Sequence, residues 1–239
     1  MRTNMTRWLA LSSLMLMTLH AQVNATTVYD TTGSWNGITF IHPWGYPDTA
    51  TYGQTFFAPA VDNILEDFTF YIYLDQGFQI QYKAHVFAWS GSMFGGGGGQ
   101  ATGLPLYSSS SLVLNGTGTF QAVTINTGGV PLVSGSPYVA LFTISDPVDY
   151  ANSNGSSRWG CPLTHVSNDG GGGFVFYNNG NNFALLNSSM WDNFADFGDL
   201  AWRATFRSGS GGAVPEPGSV ALLLGMGACG LVAMRRRKK

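Results

Sequence analysis

Two runs near the middle of the chain alternate apolar and polar side chains with a period of two. They span residues 64–74 and 78–89. This is the period of a β-strand with one packed face and one wetter face. The turn signal Asp75-Gln76-Gly77 lies between them, and two strands joined by a short turn form a β-hairpin. The pattern therefore predicts a hairpin, in which Glu66 interrupts the apolar parity near the start of the first strand.

Further short strand-like runs precede and follow this hairpin. The predicted strands cover residues 53–58, 112–114, 120–126, 138–145, 174–177 and 200–207. In the last of them, Trp202, Ala204 and Phe206 share the parity that is predicted to face the core. No run repeats its apolar residues at helical spacing over three turns. Roughly eight or nine short strands with glycine-rich connections predict an all-β fold, an antiparallel β-sandwich of jelly-roll type.

Composition and charge narrow the class of protein. The predicted domain, residues 26–207, is long enough to build one hydrophobic core, and residues 208–213 have the Ser and Gly composition of a flexible linker. Residues 26–213 contain four Lys or Arg against twelve Asp or Glu, so the net charge of this body is −8. A nucleic-acid partner would require a basic patch, so we expect no nucleic-acid binding.

Residues 1–25 have the pattern of a secretory signal peptide. Arg2 and Arg7 supply the positively charged N-terminal region, and residues 8–19 form a short apolar segment. Val23 and Ala25 place small residues at the two positions that signal peptidase reads. We therefore expect export through the Sec machinery, with cleavage by signal peptidase after Ala25.

The C-terminal end combines three segments in a fixed order. It begins with a stiff, turn-prone motif, which consists of Val214, Pro215, Glu216 and Pro217. An uncharged apolar run of 16 residues follows at 219–234; as a helix it would be roughly 24 Å long, short for a bilayer core of about 30 Å. The sequence ends with five cations, Arg235, Arg236, Arg237, Lys238 and Lys239. Because basic residues beside a span stay in the cytoplasm, we predict a transmembrane segment with the body on the outer side.

This order of motif, apolar span and basic cluster resembles the PEP-CTERM sorting tail of exported bacterial proteins, also called the ice-binding-protein C-terminal domain. The resemblance covers residues 214–239, about the last tenth of the chain. It implies recognition near Pro215-Glu216-Pro217 by an exosortase-like processing enzyme. The implied route is an intermediate in the bacterial inner membrane with a cytoplasmic C-terminus, followed by retention at the envelope or release into the extracellular matrix.

Candidate catalytic residues are scattered along the body. His42, His85 and His165 stand isolated, and Cys161 is the single cysteine of residues 26–213. Carboxylates occur at Glu66 and Asp67, and at Asp192, Asp196 and Asp199. A glycosidase needs two acids held across a sugar, and adjacency in sequence does not supply that geometry. We therefore predict no enzymatic activity and no catalytic residue.

No metal or cofactor site is predicted from the spacing of ligands, and cysteine–histidine clusters are excluded by the cysteine count. Structural calcium is an open alternative, because turn Asp, Asn and carbonyl oxygens suit this ion. The candidate donors are Asn168-Asp169-Gly170 and Asp62-Asn63. No spacing motif supports either of them.

Aromatic residues supply the remaining candidate site. Trp44 and Tyr46 lie in a proline-rich loop, and Phe87 and Trp89 fall on the outward parity of the second hairpin strand. Such rings, beside Asn and Gln amides, could stack on a sugar and hydrogen-bond to it. The alternative is that a loop or a second sheet covers this face.

Three functions are open at this point. The leading one is a non-enzymatic exported protein, sorted by its tail to the cell envelope or to the extracellular polysaccharide matrix. The second is a glycan-binding module of that matrix. The third is a secreted carbohydrate-active enzyme.

Overall fold

A computed structural model describes residues 26–93, 98–145, 153, 157–162, 164–166, 169–192 and 198–209. The predicted signal peptide, the end of the predicted linker and the C-terminal tail lie outside these ranges. Within them, no helix is long and apolar enough to cross a membrane.

Twelve β-strands and two short 3-10 helices make up the described chain. The strands are β1 Thr26–Asp30, β2 Phe40–Trp44, β3 Thr51–Phe57, β4 Ile64–Tyr73, β5 Gln79–Gly91, β6 Gly99–Ser108, β7 Leu112–Asn115, β8 Phe120–Pro131, β9 Pro137–Thr143, β10 Ser157–Gly160, β11 Phe174–Tyr177 and β12 Trp202–Arg207. The 3-10 helices are Thr32–Ser34 and Phe183–Asn187.

The strands form two antiparallel sheets of six strands each. In the first sheet the order is β1-β12-β4-β10-β2, and β8 pairs with the other edge of β4. In the second sheet the order is β11-β3-β9-β5-β6, and β7 also pairs with β5. Side chains from both sheets share one buried cluster, so the sheets pack in a sandwich-like arrangement. The all-β prediction is confirmed, and the jelly-roll type remains a prediction.

The predicted hairpin of β4 and β5 is wrong. β4 pairs with β8, β10 and β12 in the first sheet, whereas β5 pairs with β6, β7 and β9 in the second. Residues 74–78 therefore cross from one sheet to the other, with Leu74 buried and Gly77 at a positive φ of 88°. Alternation showed which side chains pack, but it carries no information about which strands exchange hydrogen bonds.

The interruption at Glu66 is a β-bulge. The adjacent β12 residues Thr205 and Phe206 pair with Asp67 and Leu65, so Glu66 is the extra residue against β12. This shift lets Leu65 become fully buried beside the buried side chains of Phe68 and Phe70. A bulge of this kind places one extra residue opposite its partner strand. Glu66 uses this position to accept a hydrogen bond of 2.7 Å from Nε of Arg207.

Trp159 of β10 lies at the centre of the core. Its ring centroid is 5.1 Å from Trp44 and 4.9 Å from Phe70 in its own sheet, and 5.4 Å from Tyr52 and 5.5 Å from Phe142 in the opposite sheet. These separations are in the range of favourable aromatic pairs. One side chain thus contacts both layers of the fold.

We expect Trp159→Ala to lower the free energy of unfolding by about 3–5 kcal/mol, because it removes a fully buried ring and leaves a cavity. Trp159→Phe should cost less, since Nε1 of Trp159 has no hydrogen-bond partner among the described residues. Urea unfolding followed by tryptophan fluorescence and circular dichroism measures both changes. Equal stability of the alanine and phenylalanine variants would contradict this assignment.

Candidate functional site

Three of the four predicted glycan-stacking residues are buried. Trp44 is 0% exposed in the core between the sheets, and Phe87 and Trp89 are 1% and 4% exposed on the outer face of the second sheet. Tyr46 is 38% exposed. The structure does not bring these four rings together on an open surface, and the three buried rings present no free face on which a sugar could stack.

A second apolar cluster covers the outer face of β5. It includes Leu186 from the 3-10 helix at Phe183–Asn187 and Trp191 just after it. The Trp191 ring lies 5.4 Å from that of Trp89 at 89°, and its Nε1 donates to the Leu186 carbonyl oxygen at 2.8 Å. A loop therefore covers the outward aromatic residues of β5, which is the alternative to glycan stacking that the sequence left open.

An open groove lies at the outer face of the first sheet. We call it the aromatic groove; its lining is Gly37, Ile38, Phe40, Tyr73, Thr119, Phe120 and Arg158. Its volume is about 370 Å³. Ile38 and Phe40 are 72% and 36% exposed, so the groove presents apolar surface to solvent. Sequence reasoning did not bring Phe40, Tyr73, Phe120 and Arg158 together as a group.

Arg158 lies between two aromatic rings of the groove. Its Cζ is 5.1 Å from the centroid of Phe40 and 4.7 Å from that of Tyr73, which is within the range of a cation–π contact. Among the described residues no carboxylate forms an ion pair with Arg158. A guanidinium held in this way keeps hydrogen-bond donors available to a ligand.

Neighbouring side chains hold two rings of the aromatic groove in place. Trp35 packs edge-on against Phe120, with ring centroids 4.9 Å apart at 85°, and its Nε1 donates to the Thr39 carbonyl oxygen at 2.7 Å. The Tyr73 hydroxyl donates to Oδ1 of Asp75 at 2.9 Å. This hydrogen bond to a carboxylate raises the pKa of Tyr73 above its ordinary value, so the phenol stays neutral.

A second candidate site is a cluster of His165, Asp169 and Asp199. One possible ligand atom from each residue lies within 4.8 Å of the others. Asp169 and Asp199 are 5% and 0% exposed, whereas His165 is exposed. Sequence reasoning did not foresee this group, because Asp199 lies 30 residues after Asp169 and only the fold brings it to His165 and Asp169.

Asp199 is held by donors from two other segments. Nε2 of Gln54 donates to its Oδ1 at 2.7 Å, and the Val166 N–H donates to its Oδ2 at 2.7 Å. The side-chain amide oxygen Oε1 of Gln54 in turn accepts from the Leu200 N–H at 2.9 Å. Burial is the main cause that raises the pKa of Asp199 to about 7, with a further contribution from Asp169, and the two donated hydrogen bonds oppose it.

Glycine geometry lets the two acidic segments approach each other. Gly198 has a φ of +64°, and a Cβ atom there would overlap the carbonyl group of Thr164. The Gly171 N–H donates to Oδ1 of Asp169 at 2.7 Å. Asp199 therefore reaches residues 164–166 because no side chain precedes it.

The other sequence candidates are placed apart from this cluster. Asp62 is buried and accepts from the Thr27 hydroxyl at 2.8 Å, and Glu66 pairs with Arg207. His85 is buried, with Nδ1 2.9 Å from the Ser108 hydroxyl, and His42 is exposed beside Phe40. Asp196, Asn168 and the tail residues lie outside the described ranges. Cys161 is buried and forms no disulfide.

We expect Gln54→Ala to destabilise the fold, because it removes the partners of Asp199 Oδ1 and of the buried Leu200 N–H. Each orphaned buried group costs about 1–3 kcal/mol. Gln79→Ala is the matched control: Gln79 is exposed and its side chain bonds to Asn115, so a change within about 0.5 kcal/mol is expected. Urea midpoints of the two variants test this difference, and equal midpoints would refute it.

Comparisons with known proteins identify the tail but not the body. No curated protein matches the chain. A clostridial cysteine protease, Cwp84 after propeptide cleavage, is similar over 77% of this chain and 40% of its own, with 11% identity and a TM-score of 0.46. The cysteine protease and lectin-like domains of Cwp84, a surface layer associated protein of Clostridium difficile, are similar over 77% and 36%, with 12% identity and a TM-score of 0.42.

The chain thus spans less than half the length of these two structures, and similarities this distant carry no functional argument. The tail is different. Residues 213–238 match the family model described as the PEP-CTERM protein-sorting motif, which agrees with the resemblance seen in the sequence. The chain therefore carries a PEP-CTERM tail, the mark of an exported bacterial protein that is sorted by an exosortase.

Proposed function

We propose that this is a non-enzymatic exported protein whose β domain is delivered by its PEP-CTERM tail to the cell envelope or to the extracellular polysaccharide matrix. The match of residues 213–238 to the sorting motif is the observation that carries this proposal. The tail is the sorting signal, and the β domain is the part that it sorts.

The proposed route includes an inner-membrane intermediate. The apolar run 219–234 stops in the membrane, and the five cations that follow it keep the C-terminus in the cytoplasm. The motif Pro215-Glu216-Pro217 then lies at the outer face of the inner membrane, where an exosortase-like enzyme reaches it. The Ser and Gly residues of 208–212 separate it from the β domain.

Two cavities of the described β domain lack the side chains on which catalysis usually depends. The aromatic groove has the lining given above, and a second cavity of about 400 Å³ is lined by Phe57, Gly91, Ser92, Met93, Pro137 and Gly171. Neither lining includes a carboxylate, an imidazole or a thiol. General acid–base and nucleophilic catalysis usually depend on such groups.

Replacing Pro215, Glu216 and Pro217 together with Ala should block processing and leave the β domain folded, because these residues lie beyond the last strand. We expect the variant to keep the mass of the uncleaved tail and to remain in the membrane fraction. Mass spectrometry of both termini, with cell fractionation, measures this outcome. A triple-alanine change at Ser210, Gly211 and Gly212 is the control and should be processed normally; normal processing of the first variant would refute the address function.

Glycan binding is the second candidate function, and the aromatic groove favours it. Phe40 and Phe120 offer apolar ring surface, and Arg158 offers donors that can bond to sugar hydroxyl or carboxylate oxygens. Sites of this type combine an apolar surface with a few placed polar groups. A protein sorted to a polysaccharide matrix would meet such ligands there.

We expect Arg158→Ala and Phe120→Ala each to weaken binding to polysaccharide from the producing cell by about tenfold, a loss of roughly 1.4 kcal/mol. Phe57→Ala is the matched control, because Phe57 is 40% exposed and lines the other cavity. Glycan-array binding and isothermal titration provide the measurement. Binding that is unchanged in both groove variants would place the ligand elsewhere.

A further inference from the structure

We propose that His165, Asp169 and Asp199 bind one divalent transition-metal ion of the Zn²⁺ class. This site is separate from the sorting motif and from the aromatic groove, and it would hold residues 164–166 and 169–171 against residues 198–200. One donor atom from each residue lies within 4.8 Å of the others. Donors around a tetrahedral zinc ion at 2.0–2.2 Å are about 3.5 Å apart, so closure requires a shift on the order of 1 Å, which the exposed His165 side chain can make.

The donor set selects the kind of metal. Calcium prefers six to eight oxygen ligands, whereas one imidazole with two carboxylates suits a smaller ion that accepts nitrogen. Three protein ligands leave a further position for water, and the exposed side of His165 provides the path for the ion. The structure therefore favours Zn²⁺ over the Ca²⁺ considered from Asn168-Asp169-Gly170.

Asp169 and Asp199 bring two buried carboxyl groups into contact. Asp169 is 5% exposed, and among the described residues its only N–H donor is Gly171, which bonds to Oδ1. The carboxyl group of Asp199 lies within hydrogen-bonding reach of the Asp169 carboxyl group. Two buried carboxyl groups in contact repel each other when both are ionised, and a bound cation removes this repulsion.

The hydrogen bonds to Asp199 have the form expected of a supporting shell. Gln54 and the Val166 N–H each donate to one of its oxygens, and such outer contacts orient the lone pairs of metal-binding carboxylates. The net charge of −8 on the body also raises the local concentration of cations.

The test uses the full-length chain, purified in detergent and freed of metal by chelation. Isothermal titration with Zn²⁺ should give one ion per chain, and Zn²⁺ should raise the melting temperature. Co²⁺ should bind at the same site and show the visible absorption of a cobalt ion with nitrogen and oxygen ligands. No Zn²⁺ binding, or binding of Ca²⁺ with no response to Zn²⁺, would overturn the proposal.

Variants locate the ion. His165→Ala should weaken Zn²⁺ binding about tenfold or more while leaving the chain folded, because the side chain is exposed. Asp169→Asn should abolish the zinc-dependent rise in melting temperature. His42→Ala removes an exposed histidine outside the cluster and should bind Zn²⁺ normally. If His165→Ala binds Zn²⁺ as tightly as the natural chain, the assignment of this site is wrong. This outcome is independent of tail processing and of glycan binding at the aromatic groove.

Discussion

The contact of Trp159 with rings from both sheets is the interaction on which the rest of the structure depends. β10 has four residues and would contribute little by its backbone pairing alone. Its tryptophan packs between Phe70 and Phe142, and such burial is the main stabilising term of a fold. Because side chains alternate along a strand, burying Trp159 turns its neighbour Arg158 outward into the aromatic groove. The core thus fixes the position of the one groove cation.

Strand positions could be predicted from the sequence where alternation is long and clean. β4, β5 and β12 were anticipated because their apolar residues recur at every second position. Short strand-like runs predicted β3, β7, β8, β9 and β11. β1, β2, β6 and β10 were missed, since they are short or contain His42-Pro43, Gly103 and Pro105, which obscure the pattern. Pairing could not be read either, because β4 and β5 are adjacent in sequence and belong to different sheets.

The candidate sites were harder to predict for a related reason. Phe40 and Arg158 of the groove come from β2 and β10, two strands that the alternation did not show. Asp199 lies 30 residues after Asp169, and it is held by Gln54, a residue of β3 that bonds to both Asp199 and Leu200. Local motifs detect residues that act close together in sequence, so they found the C-terminal tail and missed sites that depend on contacts between distant segments.

The position of β12 has a mechanical consequence for a tethered protein. β12 is the last strand before the tail, and it is bonded along both edges, to β1 from Thr26 to Asp30 and to β4 from Ile64 to Phe70. A pull through residue 209 acts along the axis of this strand, so both ladders bear the load in shear and cannot open one hydrogen bond at a time. A pull on the C-terminal end of β12 is therefore resisted by both of its hydrogen-bonded ladders at once.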